Sequence, residues 1–216
     1  MLAAGCGGEE RLPVLRLDAE PVGSPARGPG LVVLAFVQAA RAGDTKAMRA
    51  LMSAETRASY APGVAGELAD DFEGFSGPRV ELSLRLDGGW AVAAVSGRSR
   101  DDEPAAYAAA LRLEAGRWRL ELGGIAFGLL KPAPLAEVGE RPELRVEAQA
   151  GTEIDELALW IGDRPVLSHP IRRRSFTREV WGRLDRPLDP GPQIAVAFAV
   201  AGETAGAFAW PFEVEG

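Results

Sequence analysis

Chemistry-bearing residues are scarce in this chain, and each scarcity excludes something. Cys6 is the one cysteine, His169 the one histidine, and Lys46 and Lys131 the two lysines in 216 residues. A lone cysteine cannot form an intramolecular disulfide, so no redox compartment follows from it. A lone histidine leaves His-dependent chemistry a single address, Ser168-His169-Pro170. No apolar run approaches the ~18 residues of a membrane-spanning helix. Positive charge is in deficit: 24 Lys and Arg against 31 Asp and Glu give a net charge of -7. Nucleic acid is therefore not an expected partner, because phosphate binding needs a basic footprint. What is abundant is apolar surface, at 47% of residues, enough for a real core in one large domain or two modest ones.

Four segments can be read along the chain. Residues 1–30 are a start and tether, punctuated from Pro13 to Gly30 by proline and glycine, which predicts a flexible connection. A first domain spans 31–130, a linker stiffened by Pro132, Pro134 and Pro142 spans 131–141, and a second domain spans 142–216. The first domain opens with helices. Leu31-Val32-Val33-Leu34-Ala35-Phe36-Val37 is apolar all round, which predicts a helix covered on most faces. Gly43 stops it, Asp44 caps a helix burying Met48, Leu51 and Met52, and Ser53 caps a third that runs to Tyr60. Pro62 interrupts, and Leu68, Phe72 and Phe75 then share one helix face. From Arg79 the period is two: Val80, Leu82, Leu84 and Leu86 predict a half-buried strand, followed by strands at Trp90–Ala94, Tyr107–Leu113 and Trp118–Leu122. Helices followed by an antiparallel meander read as α+β, with helices packed on one curved sheet.

The first residues, Met1-Leu2-Ala3-Ala4-Gly5-Cys6-Gly7-Gly8, resemble the lipobox of bacterial lipoproteins. That resemblance implies a diacylglyceryl group on Cys6 and cleavage that makes Cys6 the new N-terminus. Only Met1 to Gly5 precede Cys6, shorter than the roughly 7–15 apolar residues of a signal peptide, so the reading expects more chain upstream. A cytosolic protein with a chance Ala/Gly-rich start is the plain alternative. In the first domain, the long opening helix, the Ala42-Gly43-Asp44 break before Met48–Met52, and the Gly116-Arg117-Trp118-Arg119-Leu120 strand resemble the NTF2-like (cystatin-like cone) superfamily. In the second, short alternating strands such as Leu144–Ala148, Leu157–Ile161, Phe176–Trp181, Ile194–Val200 and Phe208–Val214 predict an all-β sandwich. Leu188-Asp189-Pro190-Gly191 and Ala209-Trp210-Pro211-Phe212 resemble a bacterial immunoglobulin-like module that lacks the paired cysteines of antibody domains.

Catalytic signals are weak. His169 is expected in a surface loop, without the positioned partner a general base needs. Its distance from the first domain removes the carboxylate–histidine dehydratase logic that the NTF2-like resemblance would otherwise suggest. The isomerase logic of that superfamily needs an aspartate base with a tyrosine, for which Asp70 or Asp71 and Tyr60 or Tyr107 are the local candidates. A core tyrosine with its hydroxyl at the rim and a wet helix face are the preferred explanation of these residues. A cone filled by Trp90, Phe72, Phe75 and Trp118 would rule the enzyme out. Gly74-Phe75-Ser76-Gly77-Pro78 misses the last glycine of a nucleophile elbow. Asp101-Asp102-Glu103 is expected as a solvated hairpin tip, and Arg172-Arg173-Arg174 as a charged strand edge or a binder of phosphate groups or acidic polymers.

The sequence thus predicts a non-enzymatic, lipid-anchored envelope protein on the outer face of the cytoplasmic membrane. Cys6 is its lipidation site, an envelope protein or a small apolar ligand is its partner, and no cofactor or metal is expected. The alternatives are an isomerase- or dehydratase-like enzyme working in the cone, and a cytosolic scaffold.

Overall fold

A computed structural model describes residues 20–21, 28–60, 62–174 and 176–216; Cys6 and most of the predicted tether lie outside them. Among the described residues the fold is β-rich, with four α-helices: α1 (Pro29–Arg41), α2 (Thr45–Leu51), α3 (Ala54–Ser59) and α4 (Pro62–Asp70). Proline at its start suits α1, since the missing N–H falls where a helix has no acceptor for it. Val33, Phe36, Val37 and Ala40 are buried and Val32, Leu34 and Ala39 pack partly against the same core, so α1 is covered on most faces, with Leu31, 47% exposed, left outside. Asp44 caps α2 by accepting from Ala47 N at 2.9 Å, and Ser53 caps α3 by accepting from Thr56 N at 3.0 Å, both as the sequence predicts. Pro62 begins α4 instead of interrupting a helix. Phe72 and Phe75 lie beyond the end of α4 and are nonetheless buried.

Two sheets follow. The first is antiparallel, in the order β1 (Glu20–Pro21), β2 (Ser76–Arg85), β3 (Trp90–Arg98), β4 (Pro104–Glu114) and β5 (Arg117–Glu121). The stretch predicted as tether is therefore held at Glu20 and Pro21, which pair with Arg85 and Leu84. The second sheet contains β6 (Ile125–Lys131), β7 (Glu137–Val138), β8 (Leu144–Ala150), β9 (Glu156–Ile161), β10 (Arg164–Arg174), β11 (Thr177–Arg183), β12 (Gly191–Ala201) and β13 (Thr204–Val214). Its strand order is β6-β8-β11-β10-β9-β12-β13-β7. The start of β10 pairs with β9 and the rest with β11, so the sheet folds over at Val166 into two leaves around one core.

Two boundaries differ from the sequence reading. Ile125–Lys131, which the sequence reading placed at the end of the first domain and the first residue of the linker, hydrogen-bonds to β8 in the second sheet. The linker is clamped to β13: Trp210 Nε1 donates to Pro132 O at 3.0 Å, Leu135 N donates to Pro211 O at 2.8 Å, and β7 pairs with β13.

The first sheet buries both faces. Its Ala91, Ala93, Val95, Ala109 and Leu111 meet the helices, while Leu82, Leu84, Val92, Ala94, Ala108 and Ala110 meet Trp160, Val196, Phe198 and Val200 of the second sheet. The opposite parity of β12, Ala195, Ala197 and Ala199, joins the core between the two leaves. Layers thus run helices, first sheet, the β9-β12-β13 leaf, then the β6-β8-β11 leaf. Strands covered on both faces are expected to lose polar alternation, and Ile194–Ala201 has none. The same double coverage makes the alanine-rich Tyr107–Leu111 stretch a strand despite the helical propensity of alanine.

Candidate functional site

The helix side of the first sheet holds the clearest cluster of functional side chains. Tyr107 on β4 stacks on Phe36 of α1 with centroids 6.0 Å apart, and meets Phe72 edge-on at 4.9 Å. Phe72 in turn meets Phe36 and Phe75 edge-on, each at 6.1 Å. These offset and edge contacts suit the ring quadrupoles and form an aromatic plug. Phe75 lies against Gly97 of β3, where an added Cβ would come within 2.6 Å of the ring. Burial, with a smaller push from Tyr60, raises the Tyr107 phenol above its ordinary range.

Outside the plug is a cleft of about 260 Å³ lined by Leu68, Asp71, Glu73, Ser99, Arg100 and Tyr107, among others. Asp71 and Tyr107 are thus brought to one place, while Asp70 is exposed at the end of α4 and does not line the cleft. Of the tryptophans named as filling the cone, Trp118 packs partly against the helix-side core. Trp90 faces the seam between the sheets, with the Arg112 guanidinium 5.4 Å from its ring.

A second cleft, of about 170 Å³, opens where the two sheets part, between Glu81, Ser96 and Arg98 on one side and Pro192, Ile194 and Pro211 on the other. Glu81 Oε1 accepts from Ser96 Oγ and from Arg79 Nε, each at 2.5 Å. The Arg79 N–H and the Ser96 hydroxyl thus share one carboxylate oxygen, tying β2 to β3 at the mouth of the cleft. Period-two reading treats Arg79 and Glu81 as the wet face of β2. Arg79 does stay exposed, but the break in register between Val80 and Leu82 falls at Glu81, whose carboxyl is 27% exposed and lines the cleft; no residue type announces that break.

At the opposite end of the seam, Glu121 closes β5 at 4% exposure, and its Oε2 has no hydrogen-bond partner among the described residues. Burial, the largest influence, raises its pKa. The Ser53 hydroxyl lowers it, Glu55 raises it, Arg112 lowers it and Glu114 raises it. Sequence reading gave no signal here, because Glu121 alternates with Leu120 as a solvent-facing residue would.

The remaining candidates are dispersed. His169 lies within β10, not in a loop, opposite Trp181 with ring centroids 5.0 Å apart. A turn at Gly162-Asp163 precedes β10, which runs on through His169 to Arg174. Asp101, Asp102 and Glu103 form the β3–β4 turn, where Arg98 Nη1 donates to Asp102 O at 2.5 Å. Gly74–Pro78 leads from a turn into β2. Arg172, Arg173 and Arg174 are the last residues of β10, and their backbone pairs with Glu179, Arg178 and Thr177. Among the described residues no group of three or more His, Cys, Asp or Glu is placed to hold a metal ion. No family model, curated protein or solved structure matches this chain.

Proposed function

We propose that this chain is a non-enzymatic, lipid-anchored protein of the bacterial cell envelope that acts as a binding or interaction module. In this reading Cys6 carries a diacylglyceryl group, whose two acyl chains give stable attachment to the outer face of the cytoplasmic membrane. The helices and first sheet form an NTF2-like module, and the two-leaved second sheet an immunoglobulin-like one. The observation that carries the reading is Leu2-Ala3-Ala4-Gly5-Cys6 set ahead of a Pro/Gly-punctuated stretch and a folded body. The packing of the body supports the non-enzymatic half. Phe36, Phe72, Phe75 and Tyr107 occupy the space where a cone-type active site would bind substrate. The partner is an envelope protein, or a small apolar ligand confined to the cleft outside that plug.

One observation favours the enzyme instead: Asp71 and Tyr107 line the same cleft. Against it stands the raised Tyr107 phenol, a poor proton donor at neutral pH. The test is the mass of the N-terminal peptide from native protein expressed from a start upstream of Met1. The expected result is a peptide that begins at Cys6 and carries a diacylglyceryl adduct. A free thiol on a chain that retains Met1 would overturn the anchor and favour the cytosolic reading.

A further inference from the structure

We propose that the β10–β11 hairpin is a membrane-contact site that takes the anionic headgroups of phospholipids. Its end is the most basic stretch of an acidic chain: Ile171-Arg172-Arg173-Arg174-Ser175-Phe176-Thr177-Arg178 has four arginines and no acid, against a net charge of -7 overall. Arg178 is turned back onto the carbonyls of Ile154 and Asp155, and the backbone of Arg172, Arg173 and Arg174 forms the final rungs of the hairpin. Arginines alone would do for edge protection, because β10 beyond Val166 has β11 on one side and β9 no longer on the other. Edge protection does not call for Phe176. It is 53% exposed, the most exposed large apolar side chain among the described residues. An exposed phenyl ring within a basic stretch of sequence is poorly placed in water and well placed at the boundary between headgroups and acyl chains. That ring favours a lipid surface over a soluble polyanion.

Placement in the fold gives the second argument. β1 runs antiparallel to β2, with Glu20 opposite Arg85 and Pro21 opposite Leu84, so the N-terminal end of β1 is the end nearer the Asp87 turn. This end and the hairpin are joined by direct contacts. Trp90, next to the turn, pairs with Arg112, whose guanidinium donates to Glu203 O at 3.4 Å. Gly202 N donates to Asp155 Oδ2 at 2.8 Å, and Arg178 binds the Asp155 carbonyl. The point from which the chain runs back toward Cys6 and the basic, aromatic hairpin therefore lie at one end of the molecule. Resting on the anchoring proposed above, the body hangs with this hairpin toward the bilayer, and the lipid and the basic patch act as two attachment signals.

The experiment separates this contact from the anchor. Full-length protein with Cys6→Ala, which cannot be lipidated, is sedimented with vesicles of phosphatidylcholine alone or mixed with phosphatidylglycerol. Binding is expected only to the phosphatidylglycerol vesicles and should weaken as salt is raised. Arg172→Glu, Arg173→Glu and Arg174→Glu together should lower partitioning on the order of a hundredfold. Phe176→Ser, which leaves the charge untouched, should lower it about tenfold, with circular dichroism confirming that each variant is folded. Three results would overturn the proposal: no binding to the anionic vesicles, equal binding by the charge-reversed protein, or inorganic polyphosphate competing fully while Phe176→Ser binds vesicles unchanged. The N-terminal mass reports lipidation separately, so the vesicle result stands whichever way the anchor falls.

Discussion

Glu121 is the residue least reconciled with its surroundings. A buried carboxylate oxygen without a partner costs on the order of 1 kcal/mol or more, and burial holds the Glu121 pKa above its ordinary value of 4.5. The folded chain then binds a proton that the unfolded chain has released. Stability is greatest below pH 4.5 as far as this group goes, and falls as the pH rises through the raised pKa. Glu121→Gln removes the titration. In urea melts at stepped pH, wild type should lose on the order of 1 kcal/mol more than the variant on going from acid to neutral pH. Parallel profiles would mean that Arg112 and Ser53 already offset the burial. Individual residues were legible where their effect is local: Asp44 and Ser53 cap the helices predicted from them. Glu121 and His169 were not, because their surroundings are made by segments distant in sequence. Met52 and Ser53 lie along the edge of β5, and Trp181 faces His169 across the hairpin.

At the scale of elements, the seam between the sheets rests on a mixture of alanine and larger side chains. Ala108 and Ala110 on β4 let the backbone of the first sheet approach Val196 and Phe198 closely. Phe198→Ala should destabilise by about 3–5 kcal/mol, from lost burial and a cavity in a place that cannot collapse. Ala110→Leu should destabilise by about 1–3 kcal/mol by overpacking the same layer. Denaturant titration measures both, and a neutral Ala110→Leu would show the seam to be loosely packed. The strands of this seam were largely legible: β2, β3, β4 and β5 lie where period-two alternation and turn glycines place them. β6 was not, because Ile125–Lys131 is a short apolar run broken by Gly128, with no alternation to mark which sheet it joins. The middle of β10 was hidden by His169 and Pro170, which read as a loop until β11 is set beside them.

For the whole molecule, the two sheets do not behave as beads on a string. The core they share includes Leu82, Leu84, Trp160 and Phe198, and the segment between them is clamped to β13. Separate domains would melt separately, but here either sheet alone would expose an apolar face. Urea unfolding followed by tryptophan fluorescence and by far-ultraviolet circular dichroism should therefore give coincident single transitions. The tryptophans divide usefully, with Trp90 and Trp118 in the first sheet and Trp160, Trp181 and Trp210 in the second. Two resolved steps would show that the halves fold independently. A composition rich in alanine foretells that layers can approach closely, but not which layers do so. That is why the α+β and all-β segments could be read while their union could not.

The pairing of Glu20 and Pro21 with β2 sets how far the body can travel under load. With the lipid on Cys6 as proposed, covalent geometry alone limits the leash to Glu20 to about 50 Å. Were that two-residue pair to shear, the next stop is the start of α1, where Gly30 N is held by Ser83 Oγ at 3.0 Å. The leash to that point lengthens to about 85 Å. A partner that pulls on the body would thus meet a short, weak catch first and a firm one later, giving two standing heights above the bilayer without any layer of the body coming apart.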